Sequence, residues 1–129
     1  MSARILVVDD DVALQKLVVT LLKRADMEPI TALTAAEAVE ILKNRPFPDI
    51  VVLDMMLPDV SGIDFLRQMR SKTVFSDLPV VILSAVADPD RIREGLDAGA
   101  DRYLTKPYLA SNLITTLQDM LRNGRKKSS

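Results

Sequence analysis

Three consecutive carboxylates, Asp9, Asp10 and Asp11, follow directly on the apolar run Ile5–Val8, and a fourth, Asp54, closes the run Ile50–Leu53. Ser84 follows Val80–Leu83, and Lys106 follows Arg102–Thr105. Two carboxylates ~4 Å apart repel by about 1 kcal/mol in water and about 4 kcal/mol at the effective dielectric of a protein surface. Acids gathered in one pocket therefore need a counter-charge. A hard divalent cation supplies it, and a few carboxylate oxygens plus water suit Mg²⁺ (or Mn²⁺). An ion with so few protein ligands keeps positions open for phosphate oxygens, Lys106 adds a compact positive charge, and Ser84 offers a donor. Asp54 then fits a nucleophile that attacks phosphorus through its carboxylate. Metal, amine and hydroxyl would share the charge of the transferring phosphoryl group. Taken singly, each residue has an ordinary reading: Asp11 as a helix cap, Asp9 or Asp10 as a turn residue, Asp54 as a strand-end cap, Lys106 as a surface lysine. Their collection on one rim is what points to chemistry.

What the chain lacks narrows that chemistry further. It contains no histidine, so an imidazole base, a His-ligated zinc and a Ser-His-Asp triad are all excluded. It contains no cysteine, which excludes disulfides and thiolate metal sites and suits a reducing compartment. Lys plus Arg number 17 and Asp plus Glu 18, for a net charge of -1, which gives no general attraction to nucleic acid or an anionic membrane. The longest apolar run, "VVILSAVA" over 80–87, falls well short of the ~18 residues of a membrane span. A cytoplasmic protein is the expectation.

The elements that must position these residues alternate along the chain. The runs Ile5–Val8, Ile50–Leu53 and Val80–Leu83 are apolar on both faces, as in central strands of a parallel sheet, with weaker strands at Pro29–Leu33 and Arg102–Thr105. Asp11 is placed to cap a helix whose Leu14, Leu17, Val18, Leu21 and Leu22 share one face. Thr34 and Glu37 have capping-box spacing ahead of Ala38, Ile41 and Leu42. Ser61 caps a segment with Phe65, Leu66 and Met69. Asp88–Pro89 reads as an N-cap with a first-turn proline, and Gly99 as the glycine ending that helix. A last helix carries Leu113, Leu117 and Leu121. The 129 residues thus read as one α/β domain over 1–122, (βα)₅ in a three-layer sandwich, with 123–129 a basic tail or the start of a linker. Ligands of such sheets bind beyond the carboxyl ends of the strands, where Asp9, Asp10, Asp54, Ser84 and Lys106 all fall.

The pieces "ILVVDDD", "VVLDMMLPDVSG", "VVILSA" and "GLDAGADRYLTKP", in this order and spacing, closely resemble a response-regulator receiver domain of bacterial two-component signalling, from about Arg4 to Leu121. The resemblance implies a flavodoxin-like parallel sheet of order 2-1-3-4-5, a topology the receiver fold commonly exemplifies. It implies that Asp10 ligates Mg²⁺ directly, that Asp9 acts largely through water, and that the Met56 backbone carbonyl is a further ligand. Asp54 falls on the phosphoacceptor, Ser84 on the hydroxyl position, Ala85 on the small residue leaving room for the phosphoryl group, and Lys106 on the phosphate-pairing lysine. The Lys106–Pro107 bond would be cis, aiming the lysine inward. Tyr103 matches a switch aromatic that rotates inward as phosphorylated Asp54 draws Ser84 towards it, remodelling the face of the fourth helix, fifth strand and fifth helix. The implied partners are a sensor histidine kinase or histidine phosphotransfer protein, contacting the first helix around Leu14 to Leu22, and a downstream protein or output domain. A monomer or a phosphorylation-dependent dimer is expected, with no membrane contact and no direct nucleic-acid binding by this domain. It would be a switch and not an enzyme, beyond its own phosphotransfer and dephosphorylation. Met56 and Val86 are apolar at positions where polar residues could orient an attacking water, so slow self-dephosphorylation is expected.

Three other readings compete. A small haloacid-dehalogenase-like phosphohydrolase would use Asp9 and Asp11, but it needs a further acidic motif after Lys106, where only Asp119 remains, and it leaves Asp54 without a role. A receiver-type interaction domain that is never phosphorylated leaves the intact Asp9, Asp10, Asp54, Ser84 and Lys106 unexplained. A flavin site would set three aspartates against a phosphate.

Overall fold

The structure, a computed structural model, describes residues 2–106 and 110–125, with backbone alone at 110 and 111. Strands and helices alternate as β1 (Arg4–Val8), α1 (Val12–Arg24), β2 (Glu28–Ala32), α2 (Ala35–Leu42), β3 (Ile50–Leu53), α3 (Gly62–Arg70), β4 (Val80–Ser84), α4 (Pro89–Asp97), β5 (Arg102–Thr105) and α5 (Ala110–Asn123), with a 3₁₀ turn at Thr73–Phe75. All strand pairs are parallel, in the order β2-β1-β3-β4-β5, which is the flavodoxin-like arrangement expected. β1, β3 and β4 are the inner strands and are buried along most of their length, as their two-sided apolar patterns require.

Side-chain alternation along these strands splits the interior into two cores. Leu6, Val8, Val51, Leu53, Val80 and Ile82 face α2 and α3, meeting Ala38, Leu42, Phe65, Leu66 and Met69. Ile5, Val7, Ile50, Val52, Val81 and Leu83 face α1 and α5, meeting Val18, Leu22, Leu113, Leu117 and Met120. Fully burying one such side chain contributes about 1.5–3 kcal/mol, so both layers are held mainly by this contact.

The caps match the expectations. Asp11, Thr34, Ser61 and Asp88 each accept a backbone N–H of the helix they open, and Gly99 has φ +122 just beyond α4. The Glu37 carboxylate reaches back to the Leu33 N–H at 2.5 Å, one residue beyond the usual capping-box partner, the Thr34 N–H.

Two helix faces differ from expectation. Leu17 is 52% exposed, because it lies about 100° around α1 from the buried Val18. On α5 it is Met120, 1% exposed, and not Leu121, 38% exposed, that joins Leu113 and Leu117. Met120 is turned only about 20° from Leu113, against about 80° for Leu121. β2 also sits one residue earlier than the sequence pattern placed it.

The end of the sheet opposite the acidic residues is closed by a polar network. Arg70 donates to Gly99 O from Nε (3.1 Å) and Nη2 (2.8 Å), to Phe75 O (2.8 Å) and Leu78 O (2.6 Å) from Nη1, and to Asp101 Oδ2 (3.2 Å). All five of its N–H groups are thereby engaged. Burial, followed by the neighbouring Arg125 charge, pulls the Arg70 pKa down to about 10, still well above neutrality. Arg125, beyond α5, donates to Asp101 Oδ1 (3.0 Å), Ser76 O (2.9 Å) and Gly99 O (3.2 Å). Among the described residues no helix is long and apolar enough to cross a membrane.

Candidate functional site

The order of the strands reverses between β1 and β3, and their carboxyl ends leave a crevice there. β1 delivers Asp9 and Asp10 to it and β3 delivers Asp54, whose N–H donates to Val8 O at 3.0 Å. Carboxylate oxygens of Asp9, Asp10 and Asp54 lie within 4.8 Å of one another. Asp9 and Asp54 are buried, at 4% and 8% exposure, whereas Asp10 faces solvent. This donor set fits a hard divalent cation: three acidic oxygens converge, and the exposed side leaves room for water and for further oxygen ligands.

Lys106 comes in from the end of β5. Its Nζ lies 3.4 Å from Asp9 Oδ2 and 3.7 Å from Asp54 Oδ2, while its N–H pairs with Ser84 O at 2.8 Å. The lysine thus partly neutralises the pocket. Burial and the Asp9 carboxylate push the Asp54 pKa up, and Lys106 with the Met56 N–H pulls it back, leaving it above the ordinary carboxylate value. That N–H donates to Asp54 Oδ1 at 3.3 Å.

Ser84 is 1% exposed, and its Oγ accepts the Val86 N–H at 3.2 Å. Tyr103 on β5 donates its phenol to Val86 O at 2.6 Å. Burial first, and then the Asp54 charge, raise the Tyr103 pKa, against a hydrogen bond from Ser84. Ser84, Val86 and Tyr103 therefore form one hydrogen-bonded cluster beside Asp54. Ala85 is exposed at the rim and Met56 is 68% exposed. Pro107, with the expected cis bond before it, lies outside the described residues; the cis peptide among those described is Arg45–Pro46. Asp11 caps α1 through Leu14 N–H at 3.0 Å, which settles it as a cap.

Two residues that hold the site were not singled out from sequence. The Gln15 side-chain amide is buried and reaches the carbonyls of Val7 (3.3 Å), Asp9 (3.3 Å) and Ala32 (3.0 Å), pinning the turn after β1 to the end of β2. A signal existed: Gln15 lies about 60° from Val18, a polar residue on the inward stripe of α1. Gly62 packs on the backbone of Asp54 and Met55, and its N–H donates to Met55 O at 2.7 Å. The sequence shows a glycine after a helix cap, and nothing in that pattern announces a backbone contact.

The chain is similar to known proteins in sequence and in fold. The response regulator receiver domain family matches residues 5–118. The phosphate regulon transcriptional regulatory protein PhoB of Escherichia coli (strain K12) is 38% identical over 123 residues, covering 95% of this chain and 53% of PhoB. The chain thus spans about half the length of that relative. A CheY-like receiver domain from Methanospirillum hungatei JF-1 superposes with a TM-score of 0.87 at 27% identity, over 95% of this chain and 96% of that one. The BeF3-activated receiver domain of DrrB, from Thermotoga maritima, gives 0.83 at 32% identity, over 95% and 99%. With its fold, its acidic crevice and these likenesses in agreement, the chain belongs to the response regulator receiver domains of two-component signalling.

Proposed function

We propose that this receiver accepts a phosphoryl group on Asp54 from the phosphohistidine of a sensor histidine kinase or a histidine phosphotransfer protein. The carrying observation is the convergence of Asp9, Asp10 and Asp54 within 4.8 Å with Lys106 beside two of them. Asp9, Asp10, Asp54 and the Met56 carbonyl would hold Mg²⁺ or Mn²⁺, which when bound supplies positive charge to the phosphoryl oxygens. The chain's own residues do the rest. Met56 N–H fixes Asp54 Oδ1, leaving Oδ2 on the Lys106 side. An Asp54 oxygen forms the new P–O bond as the P–N bond to the donor breaks, and its electron pair leaves with the imidazole nitrogen. Lys106 then exchanges a carboxylate partner for a phosphoryl oxygen, and exposed Ala85 leaves space for the group.

A third phosphoryl oxygen draws the Ser84 hydroxyl away from Val86 N–H. Tyr103 holds the same residue from the other side, so the loop between β4 and α4 shifts and the α4-β5-α5 face changes. That face would carry the signal to a downstream protein or output domain; the one relative named above is a transcriptional regulator of about twice this length. The protein is a switch that catalyses its own phosphorylation and hydrolysis, not turnover of a substrate. With Met56 and Val86 apolar, an aspartyl phosphate persisting for minutes or longer is expected, and decay within seconds would refute the role given to them.

Intact mass after incubation with acetyl phosphate tests the whole reading. One added phosphoryl group, requiring both the divalent cation and Asp54, is the expected outcome. No gain in the parent under any metal condition, or equal gain in Asp54→Asn, would overturn it.

A further inference from the structure

We infer that Asp59 is a positioning residue for Asp54, holding the loop that follows it in shape by gripping the start of α2. The inference rests on the reading of Asp54 as a Mg²⁺-dependent acceptor.

Asp59 Oδ1 accepts the Ala35 N–H at 3.0 Å and the Val60 N–H at 3.1 Å, and Oδ2 accepts the Ala36 N–H at 2.9 Å. A carboxylate on the first amides of a helix is a charge-assisted contact that the helix dipole favours. These hydrogen bonds hold the Asp59 pKa below the ordinary carboxylate value, so the grip is fully charged at neutral pH.

α2 does not depend on Asp59 for a cap. Thr34 Oγ1 already takes the Glu37 N–H at 3.1 Å, and Glu37 takes the Leu33 N–H. What Asp59 adds is a polar link between the loop after β3 and the start of the helix after β2.

Few other contacts tie the outer part of the loop. At its base, Met56 and Ser61 form an isolated antiparallel bridge, and Gly62 N–H bonds Met55 O at 2.7 Å. Between these ties Leu57 packs against the core beneath α2 and α3, while Pro58 and Val60 are exposed. Asp59 anchors this stretch. Met56 at its start carries the N–H that orients Asp54 Oδ1 across 3.3 Å, a long bond that a small displacement would break. Releasing Asp59 should therefore be felt at Asp54.

The bland competitor is a second cap whose only effect is on the stability of α2, and Thr34→Ala separates the two. Mg²⁺ affinity is measured by calorimetry at physiological ionic strength for the parent, Asp59→Ala, Asp59→Asn and Thr34→Ala. Amide hydrogen exchange at Met56 is followed in each protein without metal. Asp59→Ala should weaken Mg²⁺ binding on the order of tenfold, the low end for loss of a supporting group around a metal site, and speed exchange at Met56. Asp59→Asn removes the same charge but keeps an acceptor for one amide, and should recover part of that loss. Thr34→Ala should lower the Tm while leaving both Mg²⁺ affinity and Met56 exchange as in the parent. Parent-like affinity in Asp59→Ala, equal losses in Asp59→Ala and Thr34→Ala, or an Asn variant no better than Ala would each overturn the inference. A parent that binds no Mg²⁺ refutes the acceptor reading itself, and that result is visible in the parent alone.

Discussion

Gly62 lies so close to Asp54 that a Cβ added to it would fall 2.3 Å from the Asp54 carbonyl oxygen, and 2.8 Å from Met55 Cα. Both neighbours are backbone, so neither can give way by rotating a side chain. Gly62→Ala must displace the start of α3 or the end of β3. A loss on the order of 2 kcal/mol is expected from such overpacking, read as a lower urea midpoint. Mg²⁺ binding should weaken with it. A variant as stable as the parent would show that the helix can move away without consequence.

The Asp54 carboxylate should make the metal-free protein sensitive to pH. Burial and then Asp9 raise its pKa, with Lys106 and Met56 opposing. An acid whose folded-state value exceeds its unfolded value is ionised at a cost to the fold. Between those two values the folded state keeps a proton that the unfolded chain has lost, so this group's contribution improves as pH falls through the raised value. In EDTA at neutral pH, Asp54→Asn should therefore melt higher than the parent. A gain of about 1–4 kcal/mol is the range set by one carboxylate repulsion ~4 Å away. The advantage should shrink on acidification. An Asn variant that melts lower at neutral pH would contradict the electrostatics.

Lys106 partly fills the role of a metal. It faces Asp9 and Asp54 at 3.4 and 3.7 Å with its side chain 20% exposed. Lys106→Ala should lower the metal-free Tm by the equivalent of roughly 1 kcal/mol, a modest figure because water still reaches the amine. Mg²⁺ should then raise the Tm by more than it does in the parent, since one competing cation is gone. Scanning calorimetry with and without Mg²⁺ measures both, and an unchanged Mg²⁺ increment would count against competition.

At the other end of the sheet, Asp101 pairs with Arg70 at 3.2 Å and with Arg125 at 3.0 Å, its side chain 2% exposed. Asp101→Ala would leave the largely buried Arg70 cation without this counter-charge, and loss of one partner of a buried pair typically costs about 3–5 kcal/mol. For a chain of this size that means a Tm lower by about 10 °C or more. Asp101→Asn, which keeps an acceptor, should fall between. Because this site is remote from Asp54, Mg²⁺ affinity of the folded variant should match the parent.

What could be read from the sequence follows from how local each signal is. The inner strands, the caps at Asp11, Thr34, Ser61 and Asp88, and the rim residues Asp9, Asp54, Ser84 and Lys106 all announce themselves within a few neighbouring positions. Leu17 and Leu121 were misplaced because a list of apolar residues on a helix does not say where its stripe is centred. Gln15, Asp59, Gly62 and Arg70 stayed hidden for a different reason. Each acts on the backbone of a segment distant in sequence or in the fold, and main-chain N–H and C=O groups look alike at every position. The Tyr103 contact is hidden in the same way, since Val86 O is a main-chain acceptor of the same kind.

The Arg70 network also determines how α4 can respond. Gly99, at the close of this helix, accepts from both Arg70 and Arg125, while the opening turn at Pro89 and Asp90 is exposed beside the rim. One end is bolted to two arginines and the other is held by its Asp88 cap. On the proposed reading, a pull at the rim would act on α4 as on a lever with its fulcrum at Gly99, tilting the helix and not sliding it. Its displacement would grow with distance from that pivot and be greatest next to Asp54, so that a small travel of the Ser84 hydroxyl would be spread along a helix-long surface without loosening the base of the molecule.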